Sequence, residues 1–182
     1  RGAGPVRDDM LDYLRWQIER HGPVVKIPVN VDSQRLLGGL DLSATLAAGH
    51  GVSRPGLLDG TAGGAVILPM AERVASNVAA HISQAMDGGD LAVILLDDSR
   101  EADEAPPTVL TERAAFHVDV GDLRGLAVKR AAWAGAVSPT AVSTLSDDQL
   151  RVFATTAAAL GIGSVRALIF ANAAARAHAA LY

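Results

Sequence analysis

The glycine pair Gly63-Gly64 runs directly into Ala65-Val66-Ile67-Leu68, four consecutive apolar residues with no polar alternation. The run is too short for an amphipathic helix and too uniform for a strand with one wet face. It therefore predicts a strand buried on both faces, at the centre of a parallel sheet. Parallel strands need crossover connections, and the flanking sequence supplies helical ones. Asp8 to Arg20 places Met10, Leu11, Leu14 and Ile18 on one helical face. Val24 to Val29, punctuated by Pro23 and Pro28, is β-branched and strand-like. Leu40 to Ala48 predicts a short helix stopped by Gly49 and Gly51, and Ala71 to Met86 a helix ended by Gly88-Gly89. Leu91 to Leu96 is a second buried-strand candidate and Phe116 to Val120 a third. Strands alternating with helices imply an α/β fold with a mostly parallel sheet.

The pattern changes after Val120. Leu126 to Trp133, Asp147 to Leu160 and Ser164 to Leu181 read as helices, with Ser146 and Ser164 as N-caps of the last two. The expected organisation is an α/β core over 1–123 and a small helical lid over 124–182, joined near Val120 to Arg124. Asp97 to Pro107, acidic and proline-containing, reads as a surface loop.

Composition narrows the function classes. Sixteen Lys+Arg against 20 Asp+Glu give a net charge of -4, which disfavours a backbone-driven nucleic-acid binder. The absence of cysteine excludes disulfides, thiolate metal sites and a cysteine nucleophile. No apolar run approaches the roughly 20 residues that span a bilayer, and no signal-like segment follows Arg1, so the expectation is a soluble cytoplasmic fragment. The five histidines share no metal-ligand spacing and there is no GxSxG elbow. Gly161-Ile162-Gly163 lies between two helices, where it reads as a C-cap and turn rather than a dinucleotide fingerprint.

Gly2-Ala3-Gly4-Pro5-Val6-Arg7-Asp8 opens the first helix. A working phosphate loop needs backbone N–H donors around the phosphates, a Lys on the β/γ-phosphates and a hydroxyl on Mg²⁺. Here Pro5 removes a donor, Arg7 stands where Lys belongs, and Asp8 replaces the hydroxyl residue. The segment reads equally as a degenerate phosphate loop or an ordinary helix start. After Leu68 comes Pro69-Met70-Ala71, with the nearest acid, Glu72, assigned to the next helix, so no carboxylate is expected to serve hydrolysis. Arg113 precedes the third strand candidate and Arg166 opens the last helix. Taken alone, each is as well explained as a solvated charge.

Several long, collinear segments resemble the AAA+ module of magnesium chelatase. They are Gln34 to Leu42, Arg54 to Leu58, Gly64 to Glu72, Thr108 to Val120 and Ala159 to Arg166. The resemblance is nearer to the D-type subunits than to the ATP-hydrolysing I-type. It implies an AAA+ P-loop-type core followed by a helical lid, with the strand before the loop lacking. It also implies a platform that couples an I-subunit ring to the porphyrin-binding H subunit, in a hexameric or mixed ring. ATP and Mg²⁺ would act at the level of the complex, inserting Mg²⁺ into protoporphyrin IX while this chain does not hydrolyse ATP. In that family Arg113 matches an arginine finger acting in trans and Arg166 the lid's sensor arginine. Gly4, Arg7 and Asp8 match the degenerate nucleotide loop, and Asp97 to Ser99 lie near a further sensor position. D-type subunits continue into a Pro-rich acidic linker and an integrin-like domain, which these 182 residues do not include. Two rivals stand beside this reading: an independently active ATPase, and an assembly module with no nucleotide role.

Overall fold

The computed structural model describes residues 1–101, 103–121, 123 and 144–179. The chain divides into two compact units, Arg1–Val128 and Lys129–Tyr182. The expected joint at 123/124 and the helix expected over Leu126 to Trp133 fall largely or wholly outside the described residues.

The first unit is an α/β layer. Helix α1 (Pro5–Ile18) leads to strand β1 (Val24–Lys26). Helix α2 (Ser33–Leu37), strand β2 (Gly38–Leu40), helix α3 (Leu42–Ala48) and strand β3 (Ser53–Pro55) follow. Strand β4 (Gly64–Leu68), helix α4 (Ser76–Asp87), strand β5 (Leu91–Leu95) and helix α5 (Thr108–Thr111) complete the unit. The main sheet has the order β1-β4-β5 and is parallel throughout, running in register from Gly64 opposite Leu91 to Leu68 opposite Leu95. Strand β4 is central and every one of its residues is buried, as its uniform apolar run requires. Its first residue must be glycine for space, because a Cβ on Gly64 would drive into the Pro23 carbonyl.

The core joins β4 to α4 and α5. Val66 and Leu68 pack with Ile27, Leu36, Val78, Ala79, Ile82 and Leu110, and Leu57 and Leu58 cover the margin. Full burial of such aliphatic side chains contributes about 1.5–3 kcal/mol each. Aromatics make up 4% of the sequence, so this core depends on the fit of branched aliphatics rather than on ring stacking.

The structure departs from the sequence expectations in several places; α5 was not expected, and Leu40 closes β2 rather than opening a helix. The helix expected from Ala71 begins as a single 3₁₀ turn, Ala71–Arg73. Met70 in the left-handed region (φ 49°) and extended Val74 separate this turn from β4 and α4, and the Ala71 N–H is drawn to the Leu96 carbonyl at 2.9 Å. The strand expected to Val29 stops at Lys26, short of Pro28. Phe116 to Val120 joins no ladder among the described residues. Val120 O accepts locally from Leu123 N–H (3.1 Å), and Arg1 donates from its nitrogen to Val118 O (2.6 Å) and accepts from Val120 N–H (2.9 Å). Such bonds do not make a strand. Finally, α2 and the antiparallel β2–β3 pair went unanticipated, although Asp32 caps α2 by accepting from Arg35 N–H at 2.6 Å.

In the second unit, helices α6 (Asp147–Ala159) and α7 (Val165–Ala179) pack on one another. Among the described residues, no helix of either unit is long and apolar enough to cross a membrane.

Candidate functional site

In an open parallel sheet, polar chemistry gathers beyond the carboxyl ends of the strands. Here that end is formed by the start of α1, the turn after β4 and the loop after β5. Gly4 is the N-cap residue of α1 (φ 142°), a conformation suited to glycine, and its carbonyl accepts from Asp8 N–H at 3.1 Å. Pro5 occupies the first helical position, where its missing N–H costs the helix nothing. One turn further, the Arg7 guanidinium is closed in by carboxylates. Its Nη1 pairs with Asp98 Oδ1, while Nη2 and Nε lie 3.3 and 3.4 Å from Asp8 Oδ1. The Arg7 side chain is only 20% exposed.

The network continues inward. Asp98 N–H donates to Glu72 Oε2 at 3.1 Å, and the other Glu72 oxygen lies 3.5 Å from Arg73 Nε. The Glu72 side chain is 2% exposed. The linear sequence suggested that no carboxylate stood near the end of β4, because Glu72 was assigned to a helix leading away. The 3₁₀ turn instead folds Glu72 back beneath the loop after β5. A cleft of about 310 Å³ opens here, lined by Ala3, Met70, Glu72, Arg73, Asp98 and Arg100. Met70 is a non-glycine residue in the left-handed region on its rim, the kind of local strain that a packed surrounding must hold in place.

Asp97, next to Asp98, is held by different forces. Burial acts to raise its carboxyl pKa. Interactions with Ser99, together with the Arg1 charge, outweigh burial and hold it below the usual carboxylate value. The Ser99 N–H donates to Asp97 Oδ1 at 2.9 Å, and Gly2 N–H donates to the Asp97 carbonyl at 3.1 Å.

Arg113 lies elsewhere. Its Nε donates to Asp87 Oδ1 (2.9 Å), its Nη2 to Asp87 Oδ2 (2.6 Å) and its Nη1 to Val109 O (2.9 Å). Asp87 ends α4, just ahead of β5, whereas Asp98 follows β5. Arg113 and Arg7 are therefore at opposite ends of a five-residue strand roughly 16 Å long. Arg166 is the second residue of α7 in the other unit and is half-buried. The structure thus brings Gly4, Arg7 and Asp8 together and adds Glu72, which the sequence reading set aside, and Asp98, which it placed only near a sensor position. The Arg7–Asp98 pair spans 91 residues, so no local pattern announces it. Among the described residues no cluster of three His, Asp or Glu side chains is arranged to hold a metal ion.

No protein-family model matches the chain. It is 38% identical over 163 residues to the magnesium-chelatase 60 kDa subunit of Cereibacter sphaeroides, covering 87% of this chain and 29% of that protein. The magnesium-chelatase 60 kDa subunit of Rhodobacter capsulatus is 38% identical over 124 residues, covering 68% and 22%. The magnesium-chelatase 67 kDa subunit of Chlorobaculum parvum is 38% identical over 71 residues, covering 39% and 12%. Among solved structures, similarity is found to a model of the complex between subunits BchI and BchD of magnesium chelatase, based on cryo-EM. The TM-score is 0.36 at 17% identity, covering 86% of this chain and 69% of that one. The chain spans less than a third of the length of the curated relatives it matches. By sequence, the chain is a relative of the magnesium-chelatase 60 kDa subunits, corresponding to a minor part of their length.

Proposed function

We propose that this chain is the AAA+ platform segment of a magnesium chelatase D-type subunit. In this reading it supports ATP-dependent insertion of Mg²⁺, as substrate, into protoporphyrin IX without hydrolysing ATP itself. Its partners are the ATP-hydrolysing I subunit, in a hexameric or mixed ring, and the porphyrin-binding H subunit. The kinship with the 60 kDa subunits over 87% of the chain carries the assignment. The silence of the chain's own loop rests on a different observation. A triphosphate needs converging N–H donors and an uncommitted cation. At α1 the residues do not fit that need: Pro5 lacks the donor, and Arg7 is already neutralised by Asp98 and Asp8. No step is therefore assigned to a nucleotide held by this loop.

The same reading gives Arg113 to a neighbouring subunit's nucleotide and leaves Arg166 as the lid arginine. Because Arg113 sits at the other end of β5 from Arg7, it is remote from the chain's own loop and would act on a nucleotide held elsewhere. A finger acting in trans stabilises charge developing on the transferred phosphoryl group, an effect on the order of 10³–10⁵ in rate at full strength. The test is Arg113→Ala in the assembled complex. The expected outcome is a fall in kcat for ATP hydrolysis of at least about ten-fold, with KM for ATP little changed. An unchanged rate removes Arg113 from the mechanism.

A further inference from the structure

We infer that Asp87 is the positioning residue for Arg113, an inference that rests on the trans role proposed for that arginine. The sequence neighbour Glu112 is the obvious candidate for orienting the guanidinium. The structure gives that task to a residue 26 positions away, which grips the fork with both carboxylate oxygens at 2.9 and 2.6 Å. Bidentate pairing fixes the plane of a guanidinium as well as its position, which a single contact does not.

The need for such a clamp follows from the local backbone. Helix α5 has four residues, and Arg113 lies just past its end in a turn closed by its N–H to the Leu110 carbonyl at 3.0 Å. A long side chain on a short turn has wide rotamer freedom, and a contributor to a transition state in another subunit must be ordered before that subunit reacts. Asp87 supplies the order from α4, whose Val78, Ala79 and Ile82 are anchored in the core. Val109 O adds a third contact through Nη1, and 18% of the Arg113 side chain remains exposed. The guanidinium is thus fixed through all three of its nitrogens, at the end of the sheet remote from the chain's own loop. Charge supports the same arrangement: the hydrogen bond that Arg113 donates to Asp87 is the largest influence raising the Arg113 pKa, and Glu112 contributes only through its charge.

The test uses the assembled complex and measures steady-state ATP hydrolysis for Asp87→Asn, Asp87→Glu, Arg113→Ala and the Asp87→Asn/Arg113→Ala double variant. Asp87→Asn keeps the shape but loses the charged fork. It is expected to lower kcat on the order of ten- to a hundred-fold with KM for ATP unchanged. Asp87→Glu is expected to recover part of that loss, and the double variant to be no slower than Arg113→Ala alone. A packing role would lower the unfolding midpoint of Asp87→Asn while leaving kcat of the assembled complex intact, and that outcome overturns the inference. A rise in kcat also overturns it, because it would make Asp87 a restraint. If Arg113→Ala itself has no effect, the proposed trans role fails rather than the Asp87 assignment alone. If Asp87→Asn does not fold, Asp87→Glu decides: a kcat equal to the parent's, with the carboxylate displaced by one methylene, refutes a requirement for exact placement.

Discussion

Asp97 illustrates how little of a single residue's behaviour is visible in its immediate neighbours. Flanked by Leu96 and Asp98, it would be expected to titrate as an ordinary loop acid. Folding partly buries it, which favours the neutral form, yet Ser99 and Arg1 stabilise the charged form more strongly. Its folded pKa lies below its unfolded one, so its contribution to stability is present above the unfolded value, about 3.9. That contribution is lost as pH falls through the lower folded value. Asp97→Asn is therefore expected to be less stable than the parent at pH 7, with the difference shrinking as the solution is acidified below about pH 4. Urea-unfolding midpoints of the two proteins across this range provide the check; a gap that persists at low pH would assign the effect to packing. Arg7 and Asp8 were legible as a departure from a phosphate loop. What Arg7 does instead was not, because Asp98 is brought to it only by the sheet. Glu72 was misjudged for a related reason: in one dimension it follows the strand, and in three it turns back under the next loop.

At the scale of elements, the helices of the second unit carry their boundaries in the sequence. Ser146 Oγ accepts from Gln149 N–H at 3.3 Å, and Gln149 Oε1 accepts from Ser146 N–H at 2.9 Å, a reciprocal capping box. At the other end of α6, Gly161 (φ 69°) donates to Ala158 O at 3.1 Å and Ile162 to Ala157 O at 2.9 Å. This is the Schellman arrangement, and it confirms the C-cap reading of the Gly-Ile-Gly segment. Ser146→Ala removes an acceptor for an orphan N–H and is expected to cost about 1 kcal/mol. The check is a thermal or urea melt followed by far-UV circular dichroism, and no shift in the midpoint would show that solvent replaces the cap without loss. Strands β1, β4 and β5 were legible from their apolar, β-branched runs, although only β4 is fully buried. Strand β4 announces itself by an unbroken apolar run, whereas Phe116 to Val120 has suitable residues without a neighbouring strand among the described residues. A strand is a property of two segments, and the sequence of one cannot supply the other.

At the scale of the whole molecule, the two arginines given roles in the first unit are separated by the length of β5, and each is already bound by carboxylates. Their consequences differ. Arg113 is gripped by Asp87 through Nε and Nη2 and by Val109 O through Nη1, at the end of β5 away from the chain's own loop. Arg7 is enclosed by Asp98 and Asp8 at the mouth where the chain's own nucleotide would sit. Replacing Arg7 by Lys restores the residue type of an active phosphate loop, but not its circumstances. The ammonium is a compact point charge and would face the same two carboxylates; Pro5 would still lack its N–H, and Glu72 would still be committed to Asp98 N–H. Arg7→Lys is therefore expected to add neither heat of Mg·ATP binding nor phosphate release to the isolated chain. Calorimetric titration alongside a phosphate-release assay checks both. Turnover in this variant would mean that one cation was all the loop lacked, and the chain would then be a dormant ATPase rather than a platform. Without turnover, the defect is distributed over a proline, two aspartates and a buried glutamate that no single substitution reverses. The role proposed for Arg113, at the far end of the sheet, does not depend on that defect.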